Sequence, residues 1–110
     1  MLEKFLTTFW QKSSLALVLL LGLLQAQESN QIYGFITDEN SGEVLIGANV
    51  FIQETGQGMA TDINGYYVLS EIELNEVSLV VSYVGYKRFE QIISFKEPSI
   101  NLDVSISDKT

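Results

Sequence analysis

From Gln31 onward the apolar side chains recur at every second position, in runs too short for helices and divided by turn-forming residues. Ile32, Gly34 and Ile36 alternate with Tyr33, Phe35 and Thr37, and Ala48, Val50 and Ile52 alternate with Asn49, Phe51 and Gln53. A period of two is that of a β-strand packed on one face. Val77, Leu79, Val81 and Tyr83 form a longer run, opposite a face of Ser78, Val80, Ser82 and Val84 that is only half polar. Such a strand belongs near the middle of a sheet. Ile100, Leu102, Val104 and Ile106 against Ser99, Asn101, Asp103, Ser105 and Ser107 predict one final strand with a wet face.

Turn chemistry punctuates these runs. Asn40-Ser41-Gly42 follows the first strand, Gly56-Gln57-Gly58 follows the second, and Asn64-Gly65 separates two short strands, Met59–Asp62 and Tyr66–Leu69. Asn-Gly between apolar stretches is a strong hairpin signal, because both residues tolerate φ > 0. Gly85 predicts a bend, and the single proline, Pro98, stands just before the last strand, where a missing N–H costs least. Glu71–Glu76 is long enough for a helical turn but not for a helix that stands alone. About seven short strands with turns at this spacing predict an all-β sandwich.

The N-terminus is of another kind. Leu15–Leu24 reads LALVLLLGLL, with Lys4 and Lys12 ahead of it and Gln25-Ala26-Gln27 behind. A charged lead, a short apolar stretch and a small residue make a secretory signal peptide, cut after Ala26. The alternative, an uncleaved anchor, needs ~20 mostly apolar residues, and the run meets Lys12 too soon. Lipid attachment is excluded, because the chain has no Cys. The expected organisation is a leader over 1–26, a short lead over 27–31, the sandwich over 32–107 and a tail over 108–110. Removing residues 1–26 leaves 84 residues with 4 basic and 13 acidic side chains, a net charge of −9. That balance argues against a nucleic-acid surface, which needs clustered positive charge. With Cys and His both at zero, disulfides, Cys/His zinc sites and His-based triads are excluded, and no cofactor is expected.

Four motifs follow in order: Tyr33-Gly34-Phe35-Ile36-Thr37-Asp38, Ser41-Gly42-Glu43-Val44-Leu45-Ile46-Gly47-Ala48-Asn49-Val50, Thr61-Asp62-Ile63-Asn64-Gly65-Tyr66-Tyr67-Val68-Leu69 and Ser82-Tyr83-Val84-Gly85-Tyr86. Together they resemble the carboxypeptidase-regulatory-like domain that precedes the plug of many SusC-like TonB-dependent outer-membrane receptors. The resemblance implies a seven-stranded Greek-key sandwich of transthyretin (prealbumin) type, facing the periplasm. Its motif residues here are Gly34, Asp38, Gly42, Gly47, Ala48, Asp62, Gly65, Tyr67, Tyr83, Gly85 and Tyr86. By the resemblance, Gly34 lies where a neighbour packs closely, Asp38 ties down the turn after it, Asp62 and Gly65 bracket a hairpin, and Tyr83 and Tyr86 fill one end of the sandwich. The family's usual loop prolines are replaced here by Val44 and Ile46, which leaves Ile46 as a possible contact point.

Chemistry is thin in this sequence. Asp62, Asn64, Gly65 and Glu71 fit part of a calcium-loop template, but Ala60 occupies its first ligand position, and a hairpin turn accounts for the same residues. A carboxylate pair for glycoside hydrolysis needs a cleft that so short a chain does not build. Zinc peptidase chemistry needs His ligands that are missing. The expectation is a non-enzymatic domain that touches other proteins, with Phe35, Ile46 and Phe51 as its partner surface. The partners implied by the resemblance are the receptor plug and barrel, a SusD-like protein or the TonB system, with no nucleic acid and no membrane span after signal cleavage. The alternative is a stand-alone secreted adhesion or carbohydrate-associated module.

Overall fold

The computed structural model describes residues 29–109, and the leader expected over residues 1–26 lies outside them. Eight strands follow in order: β1 (Asn30–Asp38), β2 (Asn49–Ile52), β3 (Gly58–Ala60), β4 (Tyr66–Ile72), β5 (Glu76–Ser82), β6 (Phe89–Ser94), β7 (Ser99–Asn101) and β8 (Val104–Ile106). They make two four-stranded sheets. One has β4, β1 and β7 side by side with β8 also on β1, and the other runs β3-β2-β5-β6. No helix among the described residues is long and apolar enough to cross a membrane.

The alternating residues meet between the sheets. Ile32 and Ile36 of β1, Tyr67, Leu69 and Ile72 of β4, and Val104 and Ile106 of β8 face Val50 and Ile52 of β2, Val77, Leu79 and Val81 of β5, and Ile93 of β6. All are buried, and together they form one core. With no disulfide to constrain the unfolded chain, burial of these side chains at roughly 1.5–3 kcal/mol each is the main stabilising term. β5 lies between β2 and β6, which explains why its outer face carries the fully buried Val80.

Four features differ from the sequence reading, two of them β6, which the alternation does not mark, and the Asn64-Gly65 turn, which joins β3 of one sheet to β4 of the other and closes no hairpin. Glu71–Glu76 makes no helical turn: Glu71 and Ile72 finish β4 and Glu76 opens β5. Register along β1 jumps from Ile32↔Leu69 to Asn30↔Ile72, and Glu71 adopts φ 57° in that bulge. The final strand is also divided into β7 and β8, giving eight strands in place of about seven.

That division is a lift of the chain out of the ladder. β7 and β8 both run parallel to β1, with Tyr33↔Asn101 before the break and Ile36↔Val104 after it. The offset is the same on both sides, so no residue is inserted. Leu102 N–H still donates to the Tyr33 carbonyl at 2.8 Å. In an unbroken parallel ladder the Leu102 carbonyl would then accept from the Phe35 amide. Instead it accepts from the buried Tyr67 hydroxyl at 2.6 Å. The Asp103 carboxylate takes its place and accepts the Phe35 N–H at 2.9 Å.

Gly34 makes the lift possible. A Cβ on this residue would overlap the Leu102 carbonyl oxygen and lie 2.6 Å from its carbon and 2.8 Å from Asp103 Oδ1. Most of those atoms are backbone and cannot swing aside. Gly34→Ala should therefore destabilise the fold by about 3 kcal/mol, the upper range for overpacking, measured as a lower urea midpoint. A loss under about 0.5 kcal/mol, no more than an ordinary surface change, would show that β7 and β8 adjust freely.

Candidate functional site: an interaction surface around a tied framework

The motif residues divide into those that tie loops and those that remain on the surface. Asp38 ends β1 and is the centre of the first group. Its Oδ1 accepts the backbone N–H groups of Asn40 at 2.8 Å and Ser41 at 2.9 Å, which closes the turn before Gly42. Its Oδ2 accepts the Tyr86 hydroxyl at 2.5 Å, from the connection between β5 and β6. Tyr86 N–H donates to the Tyr83 carbonyl across a turn in which Gly85 takes φ 89°, and the two tyrosine rings sit 5.5 Å apart. Tyr86 also bridges to Asp108. The carboxylate thus joins the end of β1 to the turn after β5, and the backbone of Tyr86 adds the segment after β8.

The electrostatics follow from that geometry. The Tyr86 hydroxyl, and then the two turn amides, hold the Asp38 carboxyl below its ordinary value of 3.8. Tyr86 is pushed up from 10.0 to about 12, chiefly because its hydroxyl donates to Asp38. Burial pushes the Tyr67 phenol up as well.

A second tie joins the loop after β1 to the β3–β4 connection. Asp62 Oδ1 accepts the N–H groups of Asn64 and Tyr66, both at 2.9 Å. Gly65, at φ 72°, brings its backbone under Val44, and its carbonyl oxygen accepts the Ile36 N–H at 2.8 Å. Beside it lies the buried Thr61, a residue that sequence reasoning left out of the site. Its hydroxyl donates to the Leu45 carbonyl at 2.5 Å and accepts from the Ala48 N–H at 2.9 Å. Ala48 is fully buried, whereas Gly47 serves through its φ of 80° in open space. A threonine flanked by Ala60 and Asp62 carries no signal of such a role beyond its place in the Thr61–Asp62 motif.

These ties leave little for chemistry. Among the described residues no group of His, Cys, Asp or Glu is arranged to hold a metal. Asp62 Oδ1 is committed to its turn, which crosses from one sheet to the other and is not the hairpin that the dipeptide predicts. Two surface depressions are open and shallow. One of about 420 Å³ is lined by Gly47, Asn49, Ser82, Tyr83 and Val84, and one of about 280 Å³ places Glu39 beside Lys87 and Arg88.

Phe35, Ile46 and Phe51 do not form one patch. Phe35 points outward from the sheet of β1 and β4, Phe51 points outward from the sheet of β2 and β5, and these are opposite sides of the sandwich. Ile46 is exposed on the loop after β1. The reason is the period of two: each odd-numbered aromatic faces away from its own strand's core residues, and the two strands lie in different layers. Phe51 is half-buried with the Arg88 guanidinium 5.7 Å from its ring centroid, and it lies directly across from the fully buried Val80. Phe35 is different. It is 43% exposed and packs edge-on against Tyr66, with ring centroids 5.3 Å apart. Tyr33 lies opposite Val68 on the same face, so four large side chains cover the outside of β1 and β4.

A profile of the CarboxypepD_reg-like domain matches residues 32–110, nearly the whole of the described sandwich. The chain belongs to the CarboxypepD_reg-like family. Domains of this family are regulatory-like β-sandwiches and are typically non-catalytic. A TonB-dependent receptor of Formosa agariphila is 47% identical over 49 residues, which take in 44% of this chain and 5% of the receptor. The chain therefore spans only a small fraction of that relative's length. The fold recurs in the pilus 2b backbone protein of group B streptococcus, with TM-score 0.60 and 14% identity over 74% of this chain and 42% of that one. The Bacillus anthracis TIE protein also has TM-score 0.60, at 19% identity over 74% of this chain and 17% of that one. At such identities the likeness is one of fold.

The Asp38–Tyr86 tie gives the CarboxypepD_reg-like domain a defined pH range. The folded Asp38 value lies below 3.8, so its contribution is present above 3.8 and lost as pH falls through the lowered value. The folded Tyr86 value lies above 10.0, so its contribution is complete below 10.0 and lost as pH rises through about 12. Thermal midpoints measured across pH should fall at both extremes, and Tyr86→Phe should flatten both limbs. The acid limb should persist in part, because Asn40 and Ser41 still donate to Asp38. Parallel profiles for the two proteins would show that the tie contributes nothing.

Proposed function

We propose that this chain is a non-catalytic accessory domain at the periplasmic face of the outer membrane, forming the N-terminal part of a SusC-like TonB-dependent nutrient receptor. In this reading residues 1–26 direct export and are removed. The sandwich is of Greek-key, transthyretin-like type, and the strand orders β4-β1-β7 and β3-β2-β5-β6 support that description. The domain's work is contact with other envelope proteins: the plug and barrel, a SusD-like protein or the TonB system.

The carrying observation is the division of labour among the family's motif residues. Asp38, Asp62, Gly65 and Tyr67 are engaged in holding backbone, and the Tyr86 hydroxyl in holding the Asp38 carboxylate. What remains for a partner is the outer face of β1 and β4, where Phe35 and Val68 are exposed beside the half-buried Tyr33 and Tyr66. A contiguous aromatic and aliphatic patch on one sheet face is the kind of surface that partners cover. The partial match to a TonB-dependent receptor supports the choice of system.

A photoreactive amino acid at position 35, in the cells that make the protein, tests this reading. Cross-links from position 35 should join the domain to plug or barrel peptides in the outer-membrane fraction, and its first residue there should be Gln27. The same group at position 54, on an exposed turn after β2, should cross-link far less. A soluble domain with no cross-link, or equal cross-linking from both positions, would overturn the proposal.

A further inference from the structure

The sheet edges of this domain are not equally protected. β3, β7 and β8 are three residues long each, and the edge formed by β7 and β8 is interrupted at Leu102–Asp103. The free side of β4 carries the Glu71 bulge, and its Val68 N–H is taken by Met59 Sδ at 3.3 Å. Short length, bulges and interruptions are the usual ways in which an edge is kept from pairing. β6 has none of them. Its six residues, Phe-Glu-Gln-Ile-Ile-Ser, contain no proline or glycine and pair with β5 in unbroken register from Val81↔Phe89 to Glu76↔Ser94.

Alternation along β6 determines which backbone groups are free. Gln53 N–H donates to the Ser78 carbonyl on the β2 side of β5, so the backbone of Val77, Leu79 and Val81 faces β6. Phe89, Gln91 and Ile93 therefore bond to β5. The N–H and C=O groups of Glu90, Ile92 and Ser94 point away from the sheet. On the outer face of the same strand Ile92 is 67% exposed, although it is flanked by residues that pair.

We infer that β6 pairs antiparallel with β6 of a second copy of this chain, across a two-fold axis at Ile92. That register is self-complementary. Ile92 meets Ile92 of the second copy, and Glu90 meets its Ser94, so all three outward pairs of backbone groups on each strand are used. The side chains of the two Ile92 residues cover one another, and the sheet β3-β2-β5-β6 continues into its counterpart as eight strands.

Charge favours this edge over the rest of the surface. Beyond residue 26 the chain has 13 acidic and 4 basic side chains, so two copies repel over most orientations. Three of the four basic residues, Lys87, Arg88 and Lys96, flank β6, against Glu90 and Glu97 in the same stretch. Arg88 and Glu90 approach to 4.0 Å. Residues 87–97 thus carry three basic and two acidic side chains in an otherwise acidic domain, which lowers the repulsion between two copies at this edge. One strand edge buries less than the ~800 Å² per partner of a standard interface, which makes the dimer weak and concentration-dependent.

Residues 29–109 close their own core, so the chain from Gln27 onward suits the test. Sedimentation from micromolar to millimolar concentration should show a monomer passing to a dimer. Over the same range, amide exchange at Glu90, Ile92 and Ser94 should slow by about tenfold or more, while Phe89, Gln91 and Ile93 stay protected throughout. Ile92→Pro removes an outward N–H without touching the bonds to β5, and should leave a folded monomer. Ile92→Lys should do the same by charge, and replaces it if the proline variant melts early. A monomer at every concentration, a dimer that persists in a folded Ile92 variant, or concentration-dependent protection elsewhere would each overturn the inference.

Discussion

The Leu102 carbonyl turns out of its ladder and over Gly34 to reach the Tyr67 hydroxyl, and the architecture of the first sheet depends on that single displacement. β1 is the only strand of this sheet with partners on both sides, and at Leu102 one of those partners withdraws. A buried backbone carbonyl without a partner costs about 1–3 kcal/mol, and an amide left open on β1 would cost as much again. Tyr67 satisfies the first and Asp103 the second. Three residues far apart in the chain are therefore required together: a glycine to leave room, a tyrosine to supply a donor in the core, and an aspartate to supply an acceptor at the edge.

The same economy governs the ends of the sandwich. Asp38 and Asp62 each use a carboxylate to gather backbone N–H groups, and Thr61 uses one hydroxyl as donor and acceptor at once. These are the residues that make the CarboxypepD_reg-like pattern recognisable. They are engaged in closing loops, so the family pattern identifies a framework and not a reaction. The framework leaves outside it the Phe35–Tyr66 face, the free edge of β6 and exposed loop residues such as Ile46 and Val84.

Much of the fold was legible because one-sided burial writes itself into alternation. The core residues of β1, β2, β5 and β8 are those that the period of two selects, and a turn stands at Asn64-Gly65, although it crosses between the sheets where the dipeptide predicts a hairpin. β6 escaped because Ile92 and Ile93 put an apolar residue on each face, as a six-residue edge strand tolerates. The division of β7 from β8 could not be read at all. The alternation runs through Leu102 without a fault, and the cause is a hydrogen bond to a tyrosine 35 residues away. The separation of Phe35 from Phe51 was equally hidden. Alternation says that each points away from its own core, but only the pairing of strands into sheets says that the two point away from each other.

The parallel pairing of β1 with β7 and β8 also has a temporal meaning. The first strand of the domain is held on one side by the last two, 68 residues later. A chain delivered N-terminus first, from a ribosome or through a pore, can form the β2–β3 and β5–β6 hairpins as they emerge, but it cannot complete the first sheet until Ile106 has arrived. Until then Ile32 and Ile36 lack the Val104 and Ile106 that cover them. Closure of such distant contacts is slow relative to local pairing. The sandwich is thus closed by β7 and β8, and the first sheet stays open until they have been delivered.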